Sequence, residues 1–146
     1  MAKLVREAMT ANPRTLRVGA SVLDAARVME EEDVGSIPVV ETGEILVGMI
    51  TDRDIVLRVV AAGKDAAATP VESVATHEIS PAHPDESLDE ALVQMAERQV
   101  RRLPVIEADR VVVGILAQAD VAQEVKAKKA GQLVEEISQS EASAQH

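Results

Sequence analysis

Apolar residues follow two rhythms along this chain. After Ser21, Val22, Ala25, Ala26 and Met29 recur at helical spacing among charged residues, which predicts a helix with one buried face. By contrast, Ile37-Pro38-Val39-Val40 and Ile45–Ile50 are unbroken apolar runs on either side of a Thr42-Gly43 turn. Runs without alternation predict strands covered on both faces. Residues 4–9 read as a short helical turn and Thr15–Val18 as an extended piece. A second helix is predicted from Thr51 through Ile55, Val56 and Val59 until Gly63 ends it. Ser21 with Asp24 has the spacing of a capping box.

The same order then repeats. Pro38 falls on Pro104, Gly48 on Gly114 and Asp54 on Asp120, a constant separation of 66. Val5 and Val71, Ser21 and Ser87, Ala25 and Ala91, Met29 and Met95, and Val34 and Val100 follow the same shift. The second copy predicts a strand near Ile79–Ala82, a helix from Ser87 to Gln99 with a Ser87/Glu90 capping box, strands at Leu103–Ile106 and Val111–Leu116, and a helix from Gln118 to Lys129. A repeat of this length is one small αβ unit, and two such units facing each other create a pseudo-two-fold axis. The boundaries are repeat one at 1–63, a linker at 64–70 within the small, polar stretch Ala62–Pro70, repeat two at 71–130 and a tail at 131–146. In the tail, Leu133, Val134 and Ile137 fit one more amphipathic turn, and Ser138–His146 has the composition of a disordered end.

Composition narrows the function. Of the 146 residues 47% are hydrophobic and none is aromatic, so a planar ligand would have to lie between aliphatic side chains. The missing aromatics remove base stacking, and a net charge of −10 repels a polyanion; nucleic acid is excluded as a partner. No cysteine is present, and nothing pairs a nucleophile with an oriented base, so an enzyme is not expected. His77 and His83 stand six apart in a loop-rich segment, which is not a metal spacing; no metal site is assigned. No apolar signal core or membrane-length stretch is present, so a cytoplasmic protein that does not engage a membrane is expected.

Ser-Ile-Pro-Val-Val followed by Gly-Met-Ile-Thr-Asp-Arg-Asp, and Arg-Arg-Leu-Pro-Val-Ile followed by Gly-Ile-Leu-Ala-Gln-Ala-Asp, resemble a tandem cystathionine-β-synthase (CBS) domain pair, or Bateman module. The resemblance spans about residues 5–128, and extends to the small stand-alone hypoxic response type. It implies an α/β (α+β) fold of two βαββα repeats packed face to face with pseudo-two-fold symmetry. It also implies a homodimer and a regulatory role without a required cofactor. The regulatory ligand implied is an adenine nucleotide (AMP, ADP or ATP) in the cleft between repeats, with an unidentified effector protein as a further partner. Two alternatives stand beside this reading: a ligand-independent dimeric interaction module, and a binder of another adenosyl ligand such as S-adenosylmethionine.

Carried onto this chain, the family pattern gives Thr51 to a phosphate and Asp54 to the ribose hydroxyls, with Arg101 and Arg102 of the other repeat approaching the phosphate. Thr51 ends a strand and opens a helix, where free N–H groups favour an anion. Asp54 lies one turn later on the same face. Backbone groups near Thr15 and Leu16, with Ile37 and Val39, are the candidates to sandwich an adenine. The second cleft keeps Asp120 but has Ala117 where Thr51 stands, and Gly35 and Ser36 where Arg101 and Arg102 stand. Charge-assisted hydrogen bonds contribute about 1.5–3 kcal/mol each, so the Asp120 cleft is expected to be weak or empty. Thr51 and Asp54 also fit a helix cap with no ligand at all, Asp120 fits a helix start, and Arg101 and Arg102 fit a solvated turn paired with Glu97 or Asp109.

Overall fold

The structure is a computed structural model and describes residues 3–122. Its elements are α1 (Val5–Ala8), β1 (Thr10–Ala11), β2 (Leu16–Arg17), α2 (Val22–Glu32), β3 (Ser36–Glu41), β4 (Ile45–Thr51), α3 (Asp52–Ile55), α4 (Leu88–Arg98), β5 (Arg102–Ile106) and β6 (Val112–Ala117). Gln118–Ala122 starts a further helix. The rest of that helix, the turn at Leu133–Ile137 and the tail lie outside the described residues. The strands make two three-stranded sheets, ordered β2-β3-β4 and β1-β6-β5. This is the expected mixed α/β fold.

The 66-residue shift holds in the register. Ser36 pairs with Thr51 and Pro38 with Met49, and likewise Arg102 with Ala117 and Pro104 with Ile115. Both hairpins carry an irregularity at the same place, between Val39 and Val40 and between Val105 and Ile106. Both helices end on a left-handed residue, Asp33 (φ 53°) and Gln99 (φ 56°).

Three expected elements differ, each for a local reason. The strand at Ile79–Ala82 shrinks to a single bridge, in which the Ala82 N–H donates to Pro104 O and the Ile106 N–H donates to Ala82 O, both at 2.9 Å. In repeat one the strand is held further by the Val18 N–H donating to Val40 O at 3.1 Å. Pro84 stands at the equivalent place and has no N–H to give. The capping box forms at Ser21, whose hydroxyl accepts from the Asp24 N–H at 3.0 Å. Ser87, with ψ 134° against 155° at Ser21, makes no side-chain cap bond. The helix expected from Thr51 to Gly63 changes winding: after α3 it is π-helical over Val56–Val60, the Ala61 N–H reaching five residues back to Val56 O at 2.9 Å. Gly63, at φ 71°, ends it.

Packing does not respect the sequence boundary between repeats. Val5 is fully buried among Ala82, Leu88, Ala91, Met95, Leu103 and Leu116, all of the second repeat. Val71 is equally buried among Leu16, Val22, Ala25, Ile37 and Ile50 of the first. The docking bonds match: the Val5 N–H donates to Glu86 O at 2.9 Å and the Val71 N–H to Ala20 O at 2.8 Å. Beyond them, β1 pairs Thr10 with Ile115, and Thr76 bridges Met49. Each repeat therefore lends its first segment to the other's core. Gly48 and Gly114 make room for the loan: a Cβ on Gly48 would lie 2.7 Å from Thr76 O, and one on Gly114 2.5 Å from Met9 Sδ and 3.1 Å from Thr10 O. The intervening stretch is also fixed, since the Val22 N–H donates to Thr69 O at 2.8 Å.

The loan has one asymmetry. Glu86, which stands where repeat one has Ala20, has a buried Oε2 without a hydrogen-bond partner. Burial pushes its carboxyl above the ordinary range; His83 pulls it down and Glu90 adds to the rise.

Candidate functional site

The four long strands run between two different ends. At one end Val40, Leu46, Ile106 and Val112 close on each other as a small apolar cluster. Here Val40 matches Ile106 and Leu46 matches Val112 under the 66-residue shift. Hydrogen bonds reinforce the closure, the Val112 N–H donating to Glu44 O at 2.9 Å. At the other end a cavity of about 1380 Å³ lies between the repeats.

The cavity brings together Thr51, Arg101 and Arg102 from the expected primary cleft, and Gly35, Ser36 and Ala117 from the expected second one. Register explains the convergence: Ser36 faces Thr51 across one hairpin and Arg102 faces Ala117 across the other. The two clefts are thus one continuous space. Met49, Ile79, Leu103 and Pro104 supply its apolar wall.

Leu16, Ile37 and Val39 are not part of it. They are 8%, 1% and 0% exposed and belong to the core of repeat one, packed with Val22, Ala25 and Val71. An unbroken apolar run does not say which of its faces meets the cleft, and these side chains turn into the core instead of lining the cavity where the adenine reading expects them. Thr15 is outside the cavity lining too, its hydroxyl donating to Glu44 Oε2 at 2.7 Å.

The helix start at Thr51 is also more occupied than expected. The Thr51 N–H donates to Asp54 Oδ2 and the Asp54 N–H to Thr51 Oγ1, each at 3.0 Å. The Asp52 N–H donates to Gly35 O at 2.9 Å and the Arg53 N–H to Asp52 Oδ1 at 2.8 Å. No N–H from 51 to 54 is left for an anion. Thr51 and Asp54 form a complete capping box, and Asp54 is a buried charged residue. Its second oxygen, Oδ1, lies 3.9 Å from Arg58 Nε. Neither Asp54 nor the half-buried Asp120 lines the cavity.

Charge enters the cavity through side chains. Arg101 and Arg102 make no ion pair with Glu97 or Asp109 among the described residues. Two more arginines that sequence reasoning missed, Arg53 and Arg98, also line the space, against the carboxylates Asp52 and Glu78. The 66-residue shift held a signal for both: Arg53 stands opposite Ala119, and Arg98 opposite Glu32. Among the described residues no group of three or more His, Asp or Glu side chains is placed to hold a metal ion, and no helix is long and apolar enough to cross a membrane.

Comparison with known proteins fits this geometry. The CBS domain family model matches residues 5–61 and 71–127. The CBS domain-containing protein YhcV of Bacillus subtilis is 40% identical over 135 residues, covering 92% of this chain and 94% of that protein. Hypoxic response protein 1 of Mycobacterium tuberculosis is 36% identical over 132 residues, covering 90% and 92%. Among solved structures, Hypoxic Response Protein I with two coordinated zinc ions superposes with a TM-score of 0.77 at 36% identity, covering 83% of this chain and 98% of that one. The CBS domain pair of protein MJ0100, in complex with 5′-methylthioadenosine and S-adenosyl-L-methionine, gives 0.79 at 27% identity, covering 88% and 99%. CBSX2 in complex with AMP gives 0.74 at 25% identity, covering 86% and 98%.

Proposed function

This chain belongs to the CBS-domain family as a tandem pair, and we propose that it is a regulatory, non-catalytic module that binds an adenine nucleotide between its repeats. The observation that carries the reading is the cavity itself, which joins a hydroxyl, Thr51, to two guanidiniums without acidic partners among the described residues, Arg101 and Arg102. Guanidinium groups suit phosphate because two parallel N–H donors match two oxygens. Structural relatives holding AMP, or methylthioadenosine and S-adenosylmethionine, support an adenosyl ligand. In this reading Thr51 and the arginines take the phosphate. Asp54, outside the cavity lining, takes the ribose through Oδ1 by giving up its 3.9 Å contact with Arg58, and Asp120 and Ser36 make at most a weaker site.

Signalling requires that ligand bind one geometry better than another. Arg101 and Thr51 come from different repeats, so an anion held by both draws the two strand ends together. A homodimer is part of the proposal. Val56, Leu57 and Val60, all within the single turn of the π-helical segment, are 55%, 50% and 67% exposed, and exposed apolar surface of this kind marks association sites. Titration calorimetry of the purified chain with AMP, ADP, ATP and S-adenosylmethionine tests the ligand. Binding that Thr51→Ala weakens by tenfold or more supports it. If no adenosine compound binds protein shown to be folded, the ligand-independent dimer is the reading that stands.

A further inference from the structure

Ten arginines fall within the described residues. Five have side-chain partners: Arg6 pairs with Asp85, Arg14 with Glu31 and Glu32, and Arg58 with Asp54 and Val74 O, while Arg17 bonds Thr42 and Arg110 bonds Leu46 O. Arg27, Arg53, Arg98, Arg101 and Arg102 make no such bond among the described residues. Four of these five line the one cavity. In a chain with 25 acidic residues against 15 basic ones, carboxylates are plentiful, and unpaired guanidiniums gathered in one place point to an anion supplied from outside.

The number of guanidiniums speaks to how much charge that anion carries. A monophosphate ester bears about −1.5 to −2 charges near pH 7, which Arg101 and Arg102 already match. Arg53 enters from repeat one, directly after the Thr51 strand end, and Arg98 from the end of α4. Asp52 and Glu78 also line the space, but among the described residues neither forms an ion pair with these arginines, so all four guanidiniums keep their N–H donors for phosphate oxygens beyond those of a single phosphate. Shifted by 66 residues, the four arginines become Ala119, Glu32, Gly35 and Ser36, so all the excess belongs to the Thr51 side.

We propose that the cavity selects a polyphosphate chain, with Arg53 and Arg98 as the specificity-determining residues that hold the phosphates beyond the first. The ligand class is then a nucleoside di- or triphosphate in preference to a monophosphate, one per chain. This rests on the nucleotide reading above but extends it to residues that reading does not use.

The test is calorimetry on the full chain with AMP, ATP and inorganic tripolyphosphate, at fixed ionic strength and without divalent metal. Wild type is expected to bind ATP about tenfold more tightly than AMP, a difference of about 1.4 kcal/mol. R53Q and R98Q each lower ATP affinity by three- to tenfold and AMP affinity by less than twofold. R27Q, which removes an unpaired arginine outside the cavity, changes neither and so controls for overall charge. Unaltered melting temperatures of these surface variants show that folding is intact. An ATP:AMP ratio near one in wild type, or one that R53Q and R98Q leave unchanged, overturns the proposal. Tripolyphosphate separates the two readings. If it binds wild type but not R53Q/R98Q while no adenosine compound binds, the polyphosphate site stands and the nucleotide reading falls. If neither tripolyphosphate nor ATP binds, the polyphosphate site falls, and if AMP does not bind either the nucleotide reading falls with it.

Discussion

The two ends of the same four strands have used the repeat in opposite ways. At the closed end Val40 and Leu46 meet Ile106 and Val112, and each residue is matched by a close analogue 66 positions away. At the open end Thr51 is matched by Ala117, Arg101 by Gly35, Arg102 by Ser36 and Arg53 by Ala119. Backbone register is the same at both. Where apolar side chains must fill a shared space the copies stay alike, since volume change there costs stability. Where they border open space they have diverged in charge, and divergence there alters only what is bound.

The largest expected effect tests the shared part of that comparison. Gly48→Ala pushes a methyl against the backbone oxygen of Thr76 and is expected to cost about 3 kcal/mol. Gly114→Ala meets mainly the Met9 side chain, which can turn away, and is expected to cost about 1 kcal/mol; urea unfolding of both variants gives the two values. The open end should respond the other way. Arg101→Gln with Arg102→Gln is expected to lower nucleotide affinity at least tenfold by calorimetry, while the mirrored change Ser36→Ala stays within twofold. A third pair probes the helix starts: Ser21→Ala removes a cap worth about 1 kcal/mol. Ser87→Ala, which removes no cap bond, should stay within about 0.5 kcal/mol in thermal unfolding.

The smallest effect concerns Glu86. Its carboxyl is raised in the folded chain by burial, so folding favours the protonated form. The sign follows: the cost is absent below the ordinary carboxylate range, where both folded and unfolded chains hold the proton, and it grows as pH rises through the folded value. Glu86→Gln should therefore melt at the same temperature as wild type in acid and slightly higher at neutral pH. A melting difference independent of pH would show that burial of Glu86 is not its source.

Much of the scaffold was legible because it rests on local signals. The 66-residue shift, the strand pairs, the Ser21 cap and the Gly63 stop are written in neighbouring residues, and the structure repeats them. The loan of Val5 and Val71 was not legible, since an apolar residue at a helix start looks the same whichever core receives it. Nor was the inward facing of Leu16, Ile37 and Val39, because strands covered on both faces lose the alternation that would orient them. Two of the arginines that line the cavity, Arg101 and Arg102, stood out in the sequence through the differences between copies. What the Thr51 helix start does with its N–H groups depended on Gly35 O and two aspartates, and a motif read as free donors hides such prior claims. Pro84 in place of Val18 could have been read: a residue without an N–H marks where a strand must thin out.

The exchange of first segments also orders events at the ribosome. A chain emerging from its N-terminus can finish one core once Val71 and Thr76 have appeared, because everything that core needs has by then been made. The other core must wait for Leu103 to Val121, and Val5, made long before them, waits with it. A segment made early is thus seated only when the far repeat has been made.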